Sequence, residues 1–371
     1  MVDLHGQYLK IKDEVDAAIQ GVIDSTAFIR GGDVRTFHDE LSQYLDVKYT
    51  IACGNGTDAL QVAMMALELR PGDEVITTPF TFIATVEVIR LLGLRPVFVD
   101  VRPDTFNLNP EQLEQAVTDC TRAIVPVHLF GQSAQMEAVM EFARSNGLYV
   151  IEDNAQALGA DYLSSDGSKQ KAGTIGHLGT TSFFPTKNLG AFGDGGALFT
   201  NDDSFGKRAA SLVNHGMQKR YYYDHVGVNS RLDSIQAAIL RIKLKHLDEY
   251  HHQRQEAADW YDHTLSGIEG LQIPARSGFT THIFHQYTLQ IEASRRDSLK
   301  QWLTEQGIPA QIYYPVPLHL QKAYSDLGYR EGMFPVSEEL CRRVLSLPMH
   351  TEMEKTQLEY ISEQIHQFFK S

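Results

Sequence analysis

The sequence predicts an α/β protein: a largely parallel sheet wrapped by helices, followed by a smaller α+β unit. Two observations carry that prediction. Short apolar runs alternate with helical patterns from residue 49 to residue 151. A stretch dense in Tyr, His and Gly at 214–230 then breaks the alternation.

The elements follow in order. Val34, Phe37, Leu41, Tyr44 and Leu45 recur at helical spacing, so an amphipathic helix precedes the first strand. Apolar runs at 49–53, 74–76, 96–99, 123–127 and 148–151 read as buried strands. Unbroken apolar runs are what strands covered on both faces require. Helical patterns separate them, as at Ala59, Leu60, Val62, Ala63, Ala66 and Leu67. Beyond the break, a long helical pattern runs from 232 to 265, a strand-like run covers 284–290, and helical stretches cover 299–306 and 337–344. The expected division is a large unit at 1–245, with an N-terminal helical segment, and a small α+β unit at 246–371.

Composition narrows the class. The chain has 371 residues, 43% of them hydrophobic, enough for two cores. Its 33 basic and 47 acidic residues give a formal charge of -14. That charge weighs against sequence-blind nucleic-acid binding, which runs on phosphate neutralisation, and otherwise reads as solubility. Cys53, Cys120 and Cys341 are far apart and odd in number, with no zinc-type spacing. A reduced, cytoplasmic setting and no metal are expected. The opening Met1-Val2-Asp3-Leu4-His5 has no basic-then-apolar leader. No apolar run approaches the roughly 20 residues of a spanning helix, so no membrane role is expected.

The chemistry gathers around Lys187, which follows apolar Phe183, Phe184 and Pro185 and precedes Gly193-Asp194-Gly195-Gly196. Most lysines are solvated, but a buried one loses its charge readily, and a neutral amine can form an imine with an aldehyde. Pyridoxal phosphate (PLP) is such an aldehyde. It also needs an acid for its ring nitrogen and a cradle for its phosphate. Asp153 ends the apolar strand Tyr149-Val150-Ile151-Glu152, at the edge where open α/β sheets bind ligands. The plain alternative for Asp153 is a helix cap. Gln156 lies three residues on, within reach of a ring hydroxyl. Cys53-Gly54-Asn55-Gly56-Thr57-Asp58 stands where a strand passes into a helix, whose free amides favour phosphate. An ordinary capped turn is the alternative there. Ser182 adds a second hydroxyl, and Phe82 can stack on a ring or simply belong to the core. Neither Gly-x-Gly-x-x-Gly nor a P-loop occurs, which counts against nicotinamide and nucleotide-triphosphate enzymes.

In combination these residues closely resemble the DegT-type sugar aminotransferases, PLP enzymes of the aspartate-aminotransferase-like fold. The likeness runs from about residue 3 to about residue 321. It rests on Asn55-Gly56-Thr57-Asp58-Ala59-Leu60, Glu152-Asp153-Asn154-Ala155-Gln156, residues 182–196 and Val228-Asn229-Ser230-Arg231-Leu232-Asp233. The resemblance implies that Lys187 bonds the cofactor and shuttles protons, and that Asp153 pairs with the pyridine nitrogen. It makes Gln156 the contact to the ring hydroxyl and Phe82 the stacking aromatic. Gly56, Thr57 and Ser182 hold the phosphate, and Asn229 completes that site in a neighbouring subunit. A homodimer with shared active sites follows. His215, Arg231, Tyr314 and His319 resemble substrate-side positions. Arg231 is suited to a bidentate carboxylate contact, or to a surface salt bridge. Tyr313 stands where close relatives often carry His.

Phe184-Pro185 is similar to the branch that aminates carbon 3, where the carbon-4 branch usually has His-Ala. The implied reaction moves an amino group from glutamate to a keto sugar on a nucleotide, UDP before dTDP, for surface polysaccharide or glycoside biosynthesis. Two rivals remain open. A PLP-fold sugar dehydratase resembles the family but carries His in place of the lysine, and Lys187 argues against it. A non-catalytic PLP-binding regulator would keep the fold and the pocket.

Overall fold

The computed structural model describes residues 1–370. A seven-stranded sheet forms its centre: β1 (Tyr49–Cys53), β2 (Glu74–Thr77), β3 (Arg95–Phe98), β4 (Thr121–Ile124), β5 (Tyr149–Asp153), β6 (Leu178–Ser182) and β7 (Gly196–Thr200). The spatial order is β1-β7-β6-β5-β4-β2-β3. Only β7 is antiparallel to its neighbours; the other six strands point one way. The strands β2 and β7 are buried along their whole length, and β4 everywhere but at Arg122, as strands covered on both faces are.

The five predicted strands agree with β1 to β5 to within a few residues. Helices Gly32–Leu45 and Gly56–Ala66 also stand where the periodicity puts them. The first buries Val34, Phe37, Leu41 and Leu45, the same stripe the sequence shows. The N-terminal segment carries the helices Leu4–Lys10 and Lys12–Ser25, and the closing helix Lys355–Lys370 lies outside the patterns read from sequence.

The long helical pattern after 232 is two helices, Ser234–Lys245 and Leu247–Leu265, parted at His246. The break serves two different cores. The first helix packs Ala237, Leu240 and Leu244 with Phe37, Leu41 and Phe183. The second packs Ala257, Tyr261 and Leu265 with Leu289, Leu345 and Ile365 of the C-terminal region. That region carries a small antiparallel sheet of β8 (Leu271–Gln272), β9 (Tyr287–Ile291) and β10 (Val344–Leu347). The strand predicted from 284 starts later, because Phe284 takes a left-handed φ of 45° and its ring stacks on His282. Among the described residues no helix is long and apolar enough to cross a membrane.

A candidate cofactor and active site at the carboxyl edge of the sheet

Because β7 alone runs backwards, the ends of β1, β5 and β6 share one edge with the start of β7. Cys53 and Ser182 both pair with Gly196 there, and Asp153 ends β5 two strands away from β7. Open α/β sheets bind ligands at this edge.

The phosphate side of the site is built by the helix that follows β1. Asn55 caps it, its side chain accepting from the Asp58 amide at 2.8 Å. Gly56, the first helical residue, lies against Ser182: a Cβ at position 56 would stand 2.7 Å from Ser182 Cβ. The close approach brings the helix N-terminus and the Ser182 hydroxyl together. Thr57 is half-buried and its hydroxyl makes no hydrogen bond among the described residues. Ser182 Oγ accepts from the Phe184 amide at 3.2 Å, so its proton stays available.

Asp153 is only 5% exposed. One carboxylate oxygen accepts from the Thr85 hydroxyl at 2.7 Å, the other from the Ala155 amide at 3.2 Å. Thr85 comes from the first turn of helix Ala84–Leu91, just after Phe82. Phe82 itself is 55% exposed, a large ring left free at the rim rather than packed in the core. Lys187 is half-buried. Loss of water around its amine pulls the ammonium down to about 8, and the charge of Asp153 opposes that shift.

Gln156 is held at both ends. Its Oε1 accepts from the Phe130 amide at 2.7 Å, and its Nε2 donates to the Tyr314 hydroxyl at 3.2 Å. One Nε2 proton is left over. Tyr314 also lies 6.4 Å from Phe82, centroid to centroid, and burial raises its phenol well above the usual range. The structure thus joins Gln156, Tyr314 and Phe82, which the sequence offers only as separate positions.

Immediately beneath, Glu152 and His128 form a fully buried pair at 2.7 Å. The same carboxylate accepts from the amides of Gly173, Ile175 and Gly176. Four donors on one buried carboxylate fix the end of β5. Sequence reading passed over this pair and Thr85: nothing in spacing marks His128 as a neighbour of Glu152.

The remaining expected residues are less tightly gathered. His215 and Asn229 are exposed on the 214–230 segment, which is pinned by a bridge between Asn214 and Asn229. Ser230 ties that segment to the phosphate side, accepting from the Gly54 amide at 2.8 Å and donating to Asp58 at 2.6 Å. Arg231 is half-buried and among the described residues has no ion pair or side-chain hydrogen bond, so no surface salt bridge is formed there. His319 departs from expectation. It is 2% exposed, its Nε2 sits 3.1 Å from Glu338, and Phe334 and Phe98 pack on its ring. That packing encloses the ring and leaves its Nδ1 without a partner among the described residues.

PLP fits these residues: a buried carboxylate, a desolvated lysine, an exposed aromatic ring, and a helix N-terminus with two available hydroxyls.

Comparison with known proteins agrees. The family model described as the DegT/DnrJ/EryC1/StrS aminotransferase family matches residues 9–366. A Pseudomonas aeruginosa relative, UDP-2-acetamido-2-deoxy-3-oxo-D-glucuronate aminotransferase, is 41% identical over 97% of each chain. A Geobacillus stearothermophilus relative called a pleiotropic regulatory protein is 45% identical over 100% of this chain and 98% of its own. The crystal structure of S. venezuelae DesV in complex with a ketimine intermediate superposes with a TM-score of 0.96 at 38% identity, covering 100% of this chain and 98% of that one. With the family model covering residues 9–366 and relatives this similar over nearly the whole length, the chain belongs to the DegT/DnrJ/EryC1/StrS aminotransferase family.

Proposed function

We propose that the chain moves an amino group from glutamate to keto carbon 3 of a nucleotide-linked sugar, with Lys187 and Asp153 as its catalytic pair. The observation that carries this reading is their meeting at one sheet edge: a desolvated lysine within electrostatic reach of a buried carboxylate, near a helix N-terminus packed against Ser182. Bound there, PLP supplies an aldehyde for the lysine and a ring that accepts electrons. Lys187 Nζ takes the proton from the donor's α-carbon and returns it elsewhere, as base and then acid. The Asp153 carboxylate holds a proton on the ring nitrogen. Gly56, Thr57 and Ser182 anchor the phosphate, and Gln156 with Phe82 fixes the ring plane.

Arg231 supports a carboxylate-bearing ligand, either glutamate or a uronate sugar, because its guanidinium has no partner among the described residues. The P. aeruginosa relative's uronate substrate and the Phe184-Pro185 pair favour a UDP-linked 3-keto sugar, with His215 and Tyr314 as further substrate contacts. A dimer is supported by exposed Phe28, Ile29, Tyr221, Tyr222 and Val226, with Asn229 reaching the partner's phosphate site. We place the boundary between the large and small units at 245/246, where the helix breaks, and the protein in the cytoplasm, consistent with three unpaired cysteines.

The regulatory relative keeps a second reading in play, a PLP-binding regulator without turnover. One experiment separates the two. Protein loaded with PLP is given glutamate, and 2-oxoglutarate is measured; UDP- and dTDP-linked 3-keto sugars are then offered and amination is followed by mass spectrometry. The aminotransferase gives 2-oxoglutarate and an aminated UDP-sugar, and Lys187→Ala gives neither. No 2-oxoglutarate from the loaded parent protein would rule the proposal out in favour of the regulator.

A further inference from the structure

Lys243 is a second desolvated lysine, and nothing in the chemistry above uses it. It sits on the buried face of helix Ser234–Lys245, 1% exposed. Its Nζ donates to the Gly190 carbonyl at 2.6 Å and lies 5.6 Å from the centroid of the Phe192 ring. Among the described residues no carboxylate is within ion-pair distance of it. Burial, and then the nearby charge of Arg254, pull its ammonium down to about 8. A buried ammonium without a counter-charge is costly, and an apolar side chain of similar length would fill the space without that penalty. Stability alone therefore gives no reason for a lysine here.

The partner it chooses does. Gly190 closes the turn that carries Lys187. A Cβ at 190 would stand 2.2 Å from the Pro185 carbonyl oxygen, so the turn folds hard on itself. Within it the Lys187 amide donates to Phe184 at 2.8 Å and the Ala191 amide donates to Phe183 at 2.8 Å. The same helix holds the turn a second time, where Gln236 Oε1 accepts from the Phe192 amide at 2.8 Å. That helix begins three residues after Arg231. One rigid element thus joins the segment bearing Asn229 and Arg231 to the turn bearing Lys187.

We infer that Lys243 is a positioning residue: by holding the Gly190 carbonyl it sets the turn that aims the Lys187 amine. The inference rests on Lys187 being the residue that bonds PLP. It is tested with Lys243→Met and Lys243→Arg in the PLP-loaded protein. The measurements are kcat, KM for glutamate, thermal midpoint, and the pH midpoint of the visible absorption of the Lys187-linked cofactor. The last depends on how the amine meets the ring, which a general loss of stability does not move. Lys243→Met should lower kcat roughly ten-fold, with KM changed less than about two-fold and the spectral midpoint moved by about half a pH unit. Lys243→Arg, which keeps a donor, should recover part of both. A folded Lys243→Met with parental kcat and parental spectral midpoint, however much its thermal midpoint falls, overturns the inference. If Lys243→Met does not fold, Gln236→Ala removes the second hold from a half-exposed position and must show the same spectral shift; a parental titration there overturns it equally. A parent protein that forms no covalent bond to PLP overturns the reading beneath it, and the inference with it.

Discussion

A lysine amine that has lost its water reacts at a lower pH than its solvated neighbours, and that property makes Lys187 distinguishable in solution. Its ammonium is drawn down to about 8 by burial, with Asp153 opposing. In PLP-free protein its neutral fraction should rise about ten-fold per pH unit up to about 8 and then level off, whereas ordinary exposed lysines keep rising to about 10.4. Competitive acetylation read lysine by lysine in a mass spectrometer measures that fraction. The Asp153→Asn variant removes the opposing negative charge, so the levelling should move to lower pH. Acetylation of Lys187 that climbs in step with exposed lysines up to pH 10 would mean a solvated amine. At this scale the sequence was informative for Lys187 and Asp153, because a lysine before a glycine-rich turn and an acid at a strand end are local facts. His319 and Lys243 were not legible. A histidine in Leu-His-Leu and a lysine in Leu-Arg-Ile-Lys-Leu look like solvated residues until tertiary packing encloses them.

Among the elements, the strands β1 to β5 were readable since each is a short apolar run that follows a helix. The reversed strand β7 was not: Gly195 and Gly196 weaken its apolar signal, and its place between β1 and β6 is a matter of topology, not of local pattern. That placement is what presses Gly56 against Ser182, and it sets a prediction about the helix rather than about one side chain. Gly56→Ala suits the helical backbone, yet its Cβ would meet Ser182 Cβ at 2.7 Å and Cα at 3.1 Å. The helix N-terminus must then move away from β6. The expected cost in stability is about 1–3 kcal/mol, as for other overpacked sites. Affinity for PLP should fall at least about ten-fold, or about 1.4 kcal/mol, because two parts of the phosphate cradle separate. Fluorescence titration of PLP-free protein gives the affinity and urea unfolding gives the stability. Loss of stability with unchanged PLP affinity would mean that the Gly56–Ser182 contact is packing and not a cradle.

For the whole molecule, the join between the two cores sets an acid limit. Helix Leu247–Leu265 crosses that join with Arg254, whose buried guanidinium donates to the carbonyls of Phe284 and Met349. Around it His251, His282, His285 and His350 are all buried. Burial lowers each of them: His251 and His282 to about 3, His350 to about 4, and His285 well below its ordinary value, with the charge of Lys187 or a nearby arginine adding to the effect. The fold therefore holds four neutral imidazoles where the unfolded chain would protonate them below about 6.5. The unfolded state binds more protons across that window, so stability is complete above pH 6.5 and is lost as pH falls toward 4. One such group costs up to about 1.4 kcal/mol per pH unit. Four together rival a total stability of about 5–15 kcal/mol within two units. Urea midpoints measured from pH 7.5 to pH 5 should fall steadily from about 6.5 downward. Hydrogen exchange at pH 5 should show the 247–265 helix losing protection before the central sheet, since the histidines line the join and not the sheet. A midpoint that stays level down to pH 5 would require these imidazoles to reach water and take up protons in the folded state, and the two cores would then be joined through a hydrated seam.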